Sequence, residues 1–331
     1  AVSDGLPLLL ESALSVFTAR TETAMLEVFN ITAPIFLIIG LGWAAVRGGV
    51  FRFEELRGAA KFVMKIGLPA LVFFAIAGKP FREVFDAAYL LGYGGATLAL
   101  FALGALVVRL RGGDGTLSAL GGFSVSFSNT GFIGYPLLAM VIGEAAAPYF
   151  AMNVLVENMF LIPLFFLLAD SAGGQGGGRL KTLLPVAKNL LKNPIILAQF
   201  AALPFALGWL PLPGALLKTS SVLAAGAAPV ALFVIGGSLV GLKLGGKLAD
   251  ILLLTLLKLA VFPLLTVLFL LLWGAGRDML FAGALLSCVP MASMVAIVHS
   301  QYGHEQRGAA IMLLTTVLSF ASISLVLLFG R

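Results

Sequence analysis

The chain has 331 residues, of which 60% are hydrophobic and only 11% charged. A soluble protein of ordinary composition carries about 25% charged residues, so this chain could not cover its own surface in water, and an integral membrane protein is the class that remains. The net charge of +6 is spread thinly between apolar runs, which excludes a nucleic-acid-binding patch, and one cysteine with two histidines excludes an intramolecular disulfide and argues against structural zinc.

Residues 1–24 stand apart from the rest of the chain. They lack a basic leader, carry Asp4 and Glu11, and read as an N-terminal extension ahead of Met25. A bilayer core of about 30 Å needs roughly 20 apolar residues per helix. Ten stretches meet that need: 26–46, 57–78, 87–109, 117–142, 146–169, 193–209, 218–241, 249–273, 279–301 and 307–329. Lipid offers the backbone no hydrogen-bond partners, so such runs cross as helices. In span two, Lys61 and Lys65 sit one turn apart near the start, where Lys61 can snorkel to the interface.

Span four departs from a plain apolar helix. Ser124, Ser126, Ser128, Asn129 and Thr130 are followed by Gly131, Gly134, Tyr135 and Pro136, all in the middle of the span. Pro136 has no N–H and crowds the carbonyl of Phe132, while the glycines lower the cost of unwinding. The pattern predicts a discontinuous helix whose second half begins with unpartnered N–H groups, a setting that favours an anion. The alternative is a kinked helix whose serines bond back to their own turn.

Span five carries Glu157 and Asn158 at its middle, with Asn153 one turn earlier. Ionisable residues at that depth are costly and mark functional positions. Glu157 is a candidate proton- or Na⁺-coupling residue, or else half of a structural pair with Lys258 of span eight or a group hydrogen-bonded to opened backbone. Between the halves lies the glycine-rich linker beginning SAGGQGGG at Ser171, then a lysine-bearing apolar stretch, Leu180 to Leu191, suited to a membrane surface. Span nine repeats the theme of span four: Ser287, Cys288, Pro290, Met291 and Ser293 lie near its middle, and Pro290 should break it. His299 falls near the end of that span.

The halves echo each other. Pro34 with Ile35 and Leu37 matches Pro194 with Ile195 and Leu197, and Pro69 with Ala70 and Phe73 matches Pro229 with Val230 and Phe233. Both proline pairs share one offset of 160 (194 − 34 and 229 − 69). Five spans per repeat is an odd number, so the second repeat enters from the opposite face, as in secondary transporters built from inverted halves. The chain therefore divides into an extension (1–24), a first repeat (25–170), a linker with an interfacial helix (171–192) and a second repeat (193–331). Twelve basic residues fall at one set of loops and six at the other. The basic side should be cytoplasmic, which puts both termini outside a cell inner (plasma) membrane.

The stretch Asn129-Thr130-Gly131-Phe132-Ile133-Gly134-Tyr135-Pro136, together with Leu68-Pro69-Ala70-Leu71 and Val289-Pro290 followed by Gln301-Tyr302-Gly303, resembles the auxin efflux carrier family. That family includes plant carriers and bacterial malonate-type organic-acid permeases. The resemblance covers all ten spans. It implies an all-α integral membrane protein of two inverted five-helix repeats, a homodimerising scaffold from spans one, two, six and seven, and an elevator-type transport domain from the rest. Broken helices four and nine would cross, with a small organic anion bound there by Asn129 and Pro136 of the first half and Pro290 of the second. Family members often carry an asparagine near the second break, where this chain has Met291, Ser293 and Met294.

The expected function is secondary transport of small organic carboxylates by alternating access, coupled to H⁺ or Na⁺ through Glu157, Asn158 and Lys258. A sodium-coupled carrier of larger organic anions, of the bile-acid-symporter type, is the alternative that the same architecture implies. Neither a hydrolase motif nor a need for a cofactor is evident, so an intramembrane enzyme lacks its parts.

Overall fold

The computed structural model describes residues 26, 28–172, 188, 191–241 and 247–330. The expected N-terminal extension, the linker beyond Ala172 and most of the interfacial stretch lie outside the described residues. Twelve helices of eight or more residues build most of what is described: α1 (Val28–Arg47), α2 (Phe53–Ala77), α3 (Ala87–Leu110), α4 (Gly115–Ser126), α5 (Tyr135–Ile142), α6 (Ala146–Val156, running on through Glu157–Leu161 into Ile162–Ala172), α7 (Pro194–Ala206), α8 (Gly214–Ser238), α9 (Leu248–Leu272), α10 (Arg277–Ser287), α11 (Ser293–Gln301) and α12 (Glu305–Phe329); a single short turn of helix, Phe81–Val84, precedes α3. Asp86, Asp114 and Asn193 start α3, α4 and α7 by accepting the N–H groups of Tyr89, Leu117 and Ile195 at 2.9, 2.7 and 2.9 Å.

Among the described residues, seven stretches are long and apolar enough to cross a bilayer: Val28–Arg47, Phe53–Ala77, Phe81–Leu110, Thr130–Ala172, Gly214–Ser238, Leu248–Leu272 and Glu305–Phe329. The fourth of these is two helices, because Gly143 adopts a φ of +63° that turns the chain between α5 and α6. The remaining apolar segments are shorter. The expected span four is divided into α4 and α5, the expected span nine into α10 and α11, and α7 has only 13 residues. Large apolar side chains such as Leu37, Leu110, Leu264, Leu272 and Phe329 point outward and exposed, as a lipid-facing belt requires.

Prolines shape these helices in a regular way. Four π turns, Val63–Gly67, Thr130–Gly134, Glu157–Leu161 and Leu257–Val261, each end two residues before a proline: Pro69, Pro136, Pro163 and Pro263. In each, the residue preceding the proline donates its N–H five residues back, as Tyr135 does to Thr130 and Ile162 to Glu157. A proline inside a helix crowds the carbonyl four residues before it and cannot bond to it. Widening the turn by one residue accommodates both defects without breaking the rod.

Glycines set the closest helix contacts. A Cβ on Gly236 of α8 would overlap the carbonyl oxygen of Ile39, and one on Gly122 of α4 would lie 2.5 Å from that of Phe101. Small residues of this kind let backbones approach where lipid supplies no hydrophobic drive. One apolar core unites α3, α4, α6, α9, α11 and α12 through Tyr93, Leu120, Phe165, Leu254, Val295 and Ile311. A second gathers α2, α6, α7 and α8, and a third joins α1, α5, α8, α10 and α12.

Candidate substrate and coupling site

Both polar segments do interrupt their helices, and they meet. α4 ends at Ser126, and Phe127 and Asn129 leave helical geometry before the π turn opens at Thr130. On the other side α10 ends at Ser287 and α11 begins at Ser293. The Asn129 N–H donates to the Pro290 carbonyl at 2.9 Å and the Ala292 N–H to the Phe127 carbonyl at 3.1 Å, an antiparallel bridge centred on Ser128 and Met291. The two openings thus satisfy each other's backbone, which is what allows non-helical chain at this depth.

The position of the first opening corrects the expectation built on Pro136. The chain unwinds at Phe127–Asn129, whereas Pro136 is the second residue of the continuous helix α5. The π turn absorbs the proline's missing N–H, so the ring no longer has to unwind anything. Pro290, by contrast, lies within the second opening, as its sequence context implies.

Polar side chains converge on the crossing from both flanks. The fully buried Lys258 ammonium of α9 donates to Ser128 Oγ at 2.5 Å and to the Ser287 carbonyl at 3.3 Å, and its Nζ sits 4.4 Å over the Phe262 ring. Glu157 of α6, also buried, accepts from Thr130 Oγ1 at 2.6 Å and from the Tyr93 hydroxyl at 3.3 Å through Oε1. Ion pairs within 4.0 Å among the described residues are Arg111–Asp250 and Arg307–Asp250, so Glu157 and Lys258 face the break without touching. Each lies in a π turn, a local widening that recurs at functional positions.

Asn129 is buried, and its side chain makes no hydrogen bond among the described residues. The N–H groups of Thr130, Gly131 and Phe132 begin a helix, as do those of Ser293 and Met294, and initial N–H groups have no acceptor within their own helix. Two helix N-termini and an uncommitted amide therefore lie beside a lysine and a carboxyl group. That set combines hydrogen-bond donors of the kind a carboxylate accepts from with one carboxyl group and one amine, the two group types that exchange protons.

Other expected residues take bland positions. Ser124 and Ser126 bond back to Leu120 and Gly122 carbonyls at 2.7 Å each, the within-helix alternative anticipated for them. Gly131 faces Leu68 and Phe150, and Tyr135 packs on the Phe150 ring at 5.2 Å. Asn158 leaves the crossing altogether, donating to the Val154 carbonyl at 2.8 Å and accepting from Asn193 of α7 at 3.2 Å. Ser293 stands at the first position of α11, half-buried. Lys61 and Lys65 are exposed, and His299 is buried against the Val295 carbonyl at 2.9 Å. Sequence reasoning missed Tyr93; its signal was a tyrosine pair one turn apart, Tyr89 and Tyr93, inside an otherwise apolar span.

The family model described as "Membrane transport protein" matches residues 27–176 and 179–327, nearly the whole chain. This chain belongs to that family, the auxin efflux carriers. A Rhizobium meliloti (strain 1021) protein named "Putative malonate transporter" is 30% identical over 303 residues, covering 91% of this chain and 95% of its own. "Uncharacterized transporter YfdV" of Escherichia coli (strain K12) is 25% identical over 306 residues, covering 87% of this chain and 92% of its own, and its Shigella flexneri namesake matches equally. The protein is accordingly a multi-pass membrane transporter and not an enzyme.

Proposed function

We propose that this transporter is a secondary carrier of small organic carboxylates, malonate-like in size and charge, that moves one proton with each anion by alternating access. The observation that carries the reading is the crossing itself: Lys258 and Glu157 flank the opened backbone at Ser128 and Thr130 and are not paired with each other. With Glu157 ionised, the two side-chain charges cancel. With Glu157 protonated, the Lys258 charge is left over, and the crossing attracts an anion. Proton and anion then bind with positive coupling, and by linkage each raises the other's affinity equally. Sodium is less well suited than a proton, because the Lys258 ammonium lies 2.5 Å from the Ser128 hydroxyl that a cation would share. The name of the Rhizobium meliloti relative supports malonate as the first compound to test.

Two inverted five-helix repeats and an elevator motion complete the proposal. Gly67 of α2 meets Ala227 of α8 so closely that a Cβ on Gly67 would lie 2.7 Å from the Ala227 Cβ, and 227 − 67 is 160, the offset of both proline pairs. Residues related by a two-fold axis meet their own counterparts where helices cross that axis, and the antiparallel bridge between the two openings has a local two-fold character of its own, although its partners Ser128 and Met291 are not at that offset. The core shared by α3, α4, α6, α9, α11 and α12 is what a moving body would need. A scaffold of α1, α2, α7 and α8 would pair in a homodimer, with both termini on the outer side of the membrane.

The test is direct. Purified protein is screened by thermal shift against malonate, other dicarboxylates and indole-3-acetate at several pH values, with and without Na⁺, and proteoliposomes are assayed for labelled malonate uptake under an imposed pH gradient. Binding of the native state raises the melting temperature. A carboxylate that stabilises the protein more strongly at low pH, independently of Na⁺, supports the proposal; stabilisation only with Na⁺ overturns the proton coupling.

A further inference from the structure

We infer that a file of buried polar groups between α3 and α6 carries the proton between Glu157 and the end of the bundle that holds Asp86 and Tyr149. This rests on the coupling role proposed for Glu157, and it adds the route by which that proton arrives. Two contacts of like kind stack along the helix pair. Tyr93 donates to Glu157 at 3.3 Å, and Tyr89, one turn back, donates to Asn153, one turn back from Glu157, at 2.9 Å. The two tyrosine rings lie parallel with centroids 6.0 Å apart. Tyr89 in turn packs on the half-buried Tyr149 at 5.1 Å, and Asp86 and Asp278 lie around Tyr149.

A rigid apolar packing role would need none of these hydroxyls. Tyr89, Tyr93, Asn153 and Thr266 are all fully buried, and Asn153 Nδ2 and Thr266 Oγ1 have no partner among the described residues. Thr266 of α9 lies on the same side as Tyr89, since a Cβ on Gly283 would meet both of them, at 3.1 and 3.7 Å. Unpartnered buried polar atoms of this kind are where proteins hold internal water. Water held by Asn153 and Thr266 would bridge the step between the two stacked hydroxyls.

The transfer balances at each group. An excess proton entering from water at the Asp86 end is taken at the Tyr89 oxygen as Tyr89 passes its own hydroxyl proton to the bridging water; that water passes a proton to the Tyr93 oxygen, and Tyr93 delivers its own to Glu157 Oε1. Each tyrosine begins and ends neutral, and Glu157 gains one proton. The ionisable groups facing Glu157 are Tyr93 and Tyr89 of α3 and Lys258 of α9. The lysine repels a proton arriving from its own side, which leaves the tyrosine file as the open approach.

The experiment compares two transport modes in proteoliposomes that contain a pH-sensitive dye, with malonate as the probe. Exchange of internal for external malonate requires no proton release, whereas net uptake driven by a pH gradient does. Tyr89→Phe keeps the ring and removes the hydroxyl, and Asn153→Leu keeps the branched shape and removes the amide. Both variants are expected to exchange malonate within twofold of wild type while net uptake and dye response slow at least tenfold. Net uptake unchanged in both variants overturns the file, and so does equal loss of exchange and net uptake in well-folded protein. If wild type moves malonate without any dye response, the proton route falls while the carrier survives. If wild type moves no carboxylate at all, the carrier reading fails and takes the route with it.

Discussion

Asn129 donates its backbone N–H to the carbonyl of Pro290 across 2.9 Å, while its side chain makes no hydrogen bond among the described residues. The crossing is therefore held by main chain, and the amide is free for a ligand. Asn129→Ala keeps the main-chain bond, so the melting temperature in detergent should stay close to wild type. A hydrogen bond to a charged group contributes about 1.5–3 kcal/mol, so carboxylate affinity should drop roughly 10- to 100-fold. Isothermal titration or thermal shift with malonate checks this. Wild-type affinity in the variant would remove Asn129 from the site.

Glu157→Gln fixes the side chain in a form that mimics the protonated acid. In wild type, anion affinity should fall about tenfold for each pH unit above the point where Glu157 ionises, since a proton must be taken up with the anion. In the variant the affinity should remain high and flat with pH, and a pH gradient should no longer drive accumulation. Affinity plotted against pH decides the matter: a wild-type slope retained in Glu157→Gln assigns coupling elsewhere.

Lys258→Met removes the charge that attracts the anion and leaves Glu157 alone in a buried site. Binding should be lost, and the protein should be less stable than wild type, because an unpaired buried charge is costly. Combining it with Glu157→Gln removes both charges, so the double variant should be more stable than the sum of the single effects predicts. The two groups sit on either side of one break, so the coupling should be about 1–3 kcal/mol. Additive shifts in a detergent unfolding series would mean that the two charges do not sense each other.

Gly236→Ala tests packing. In an exposed helix the change would stabilise by about 1 kcal/mol through propensity alone. Here the new Cβ would overlap the Ile39 carbonyl oxygen, and that neighbour is backbone. α1 and α8 must separate to admit it, so the sign reverses. A clear drop in melting temperature, or failure to purify as a single species, is expected.

The all-helical bundle was legible because each helix must bury its apolar surface or turn it to lipid, and apolar runs in the sequence mark the helices; seven stretches among the described residues are long enough to cross a bilayer, fewer than the ten expected. The break in the fourth expected span was legible too, since Ser128, Asn129 and Thr130 are too polar for an unbroken span, whereas its meeting with the second break was implied only by the family resemblance. What sequence did not disclose was geometry set by partners. Asn158 stands next to Glu157 in the chain, yet successive helical residues point about 100° apart, and Asn158 turns to Asn193 instead. Tyr93 carries no charge and hides in an apolar run; only the placement of α3 beside α6 makes it a partner of Glu157. Pro136 looked like the breaker because a proline ordinarily disrupts an α turn. Pro204 and Pro229 lie inside α7 and α8 with no π turn before them, so a proline alone does not announce the π turn that accommodates Pro136.

That π turn gives the final prediction. Pro136→Ala supplies an N–H able to reach the Phe132 carbonyl, four residues back, and so removes the reason for the widened turn. If the turn tightens to ordinary helix, the residues before it rotate by about 100° relative to α5. Thr130 would then leave Glu157, to which it now donates at 2.6 Å. Stability should hold or rise, because the substitution restores a helical hydrogen bond, yet malonate affinity should fall more than tenfold. The combination separates a positioning role from a folding role. Were Pro136→Ala to bind and transport as wild type does, the π turn would have no part in aiming Thr130, and the widened geometry would be only a scar of the proline.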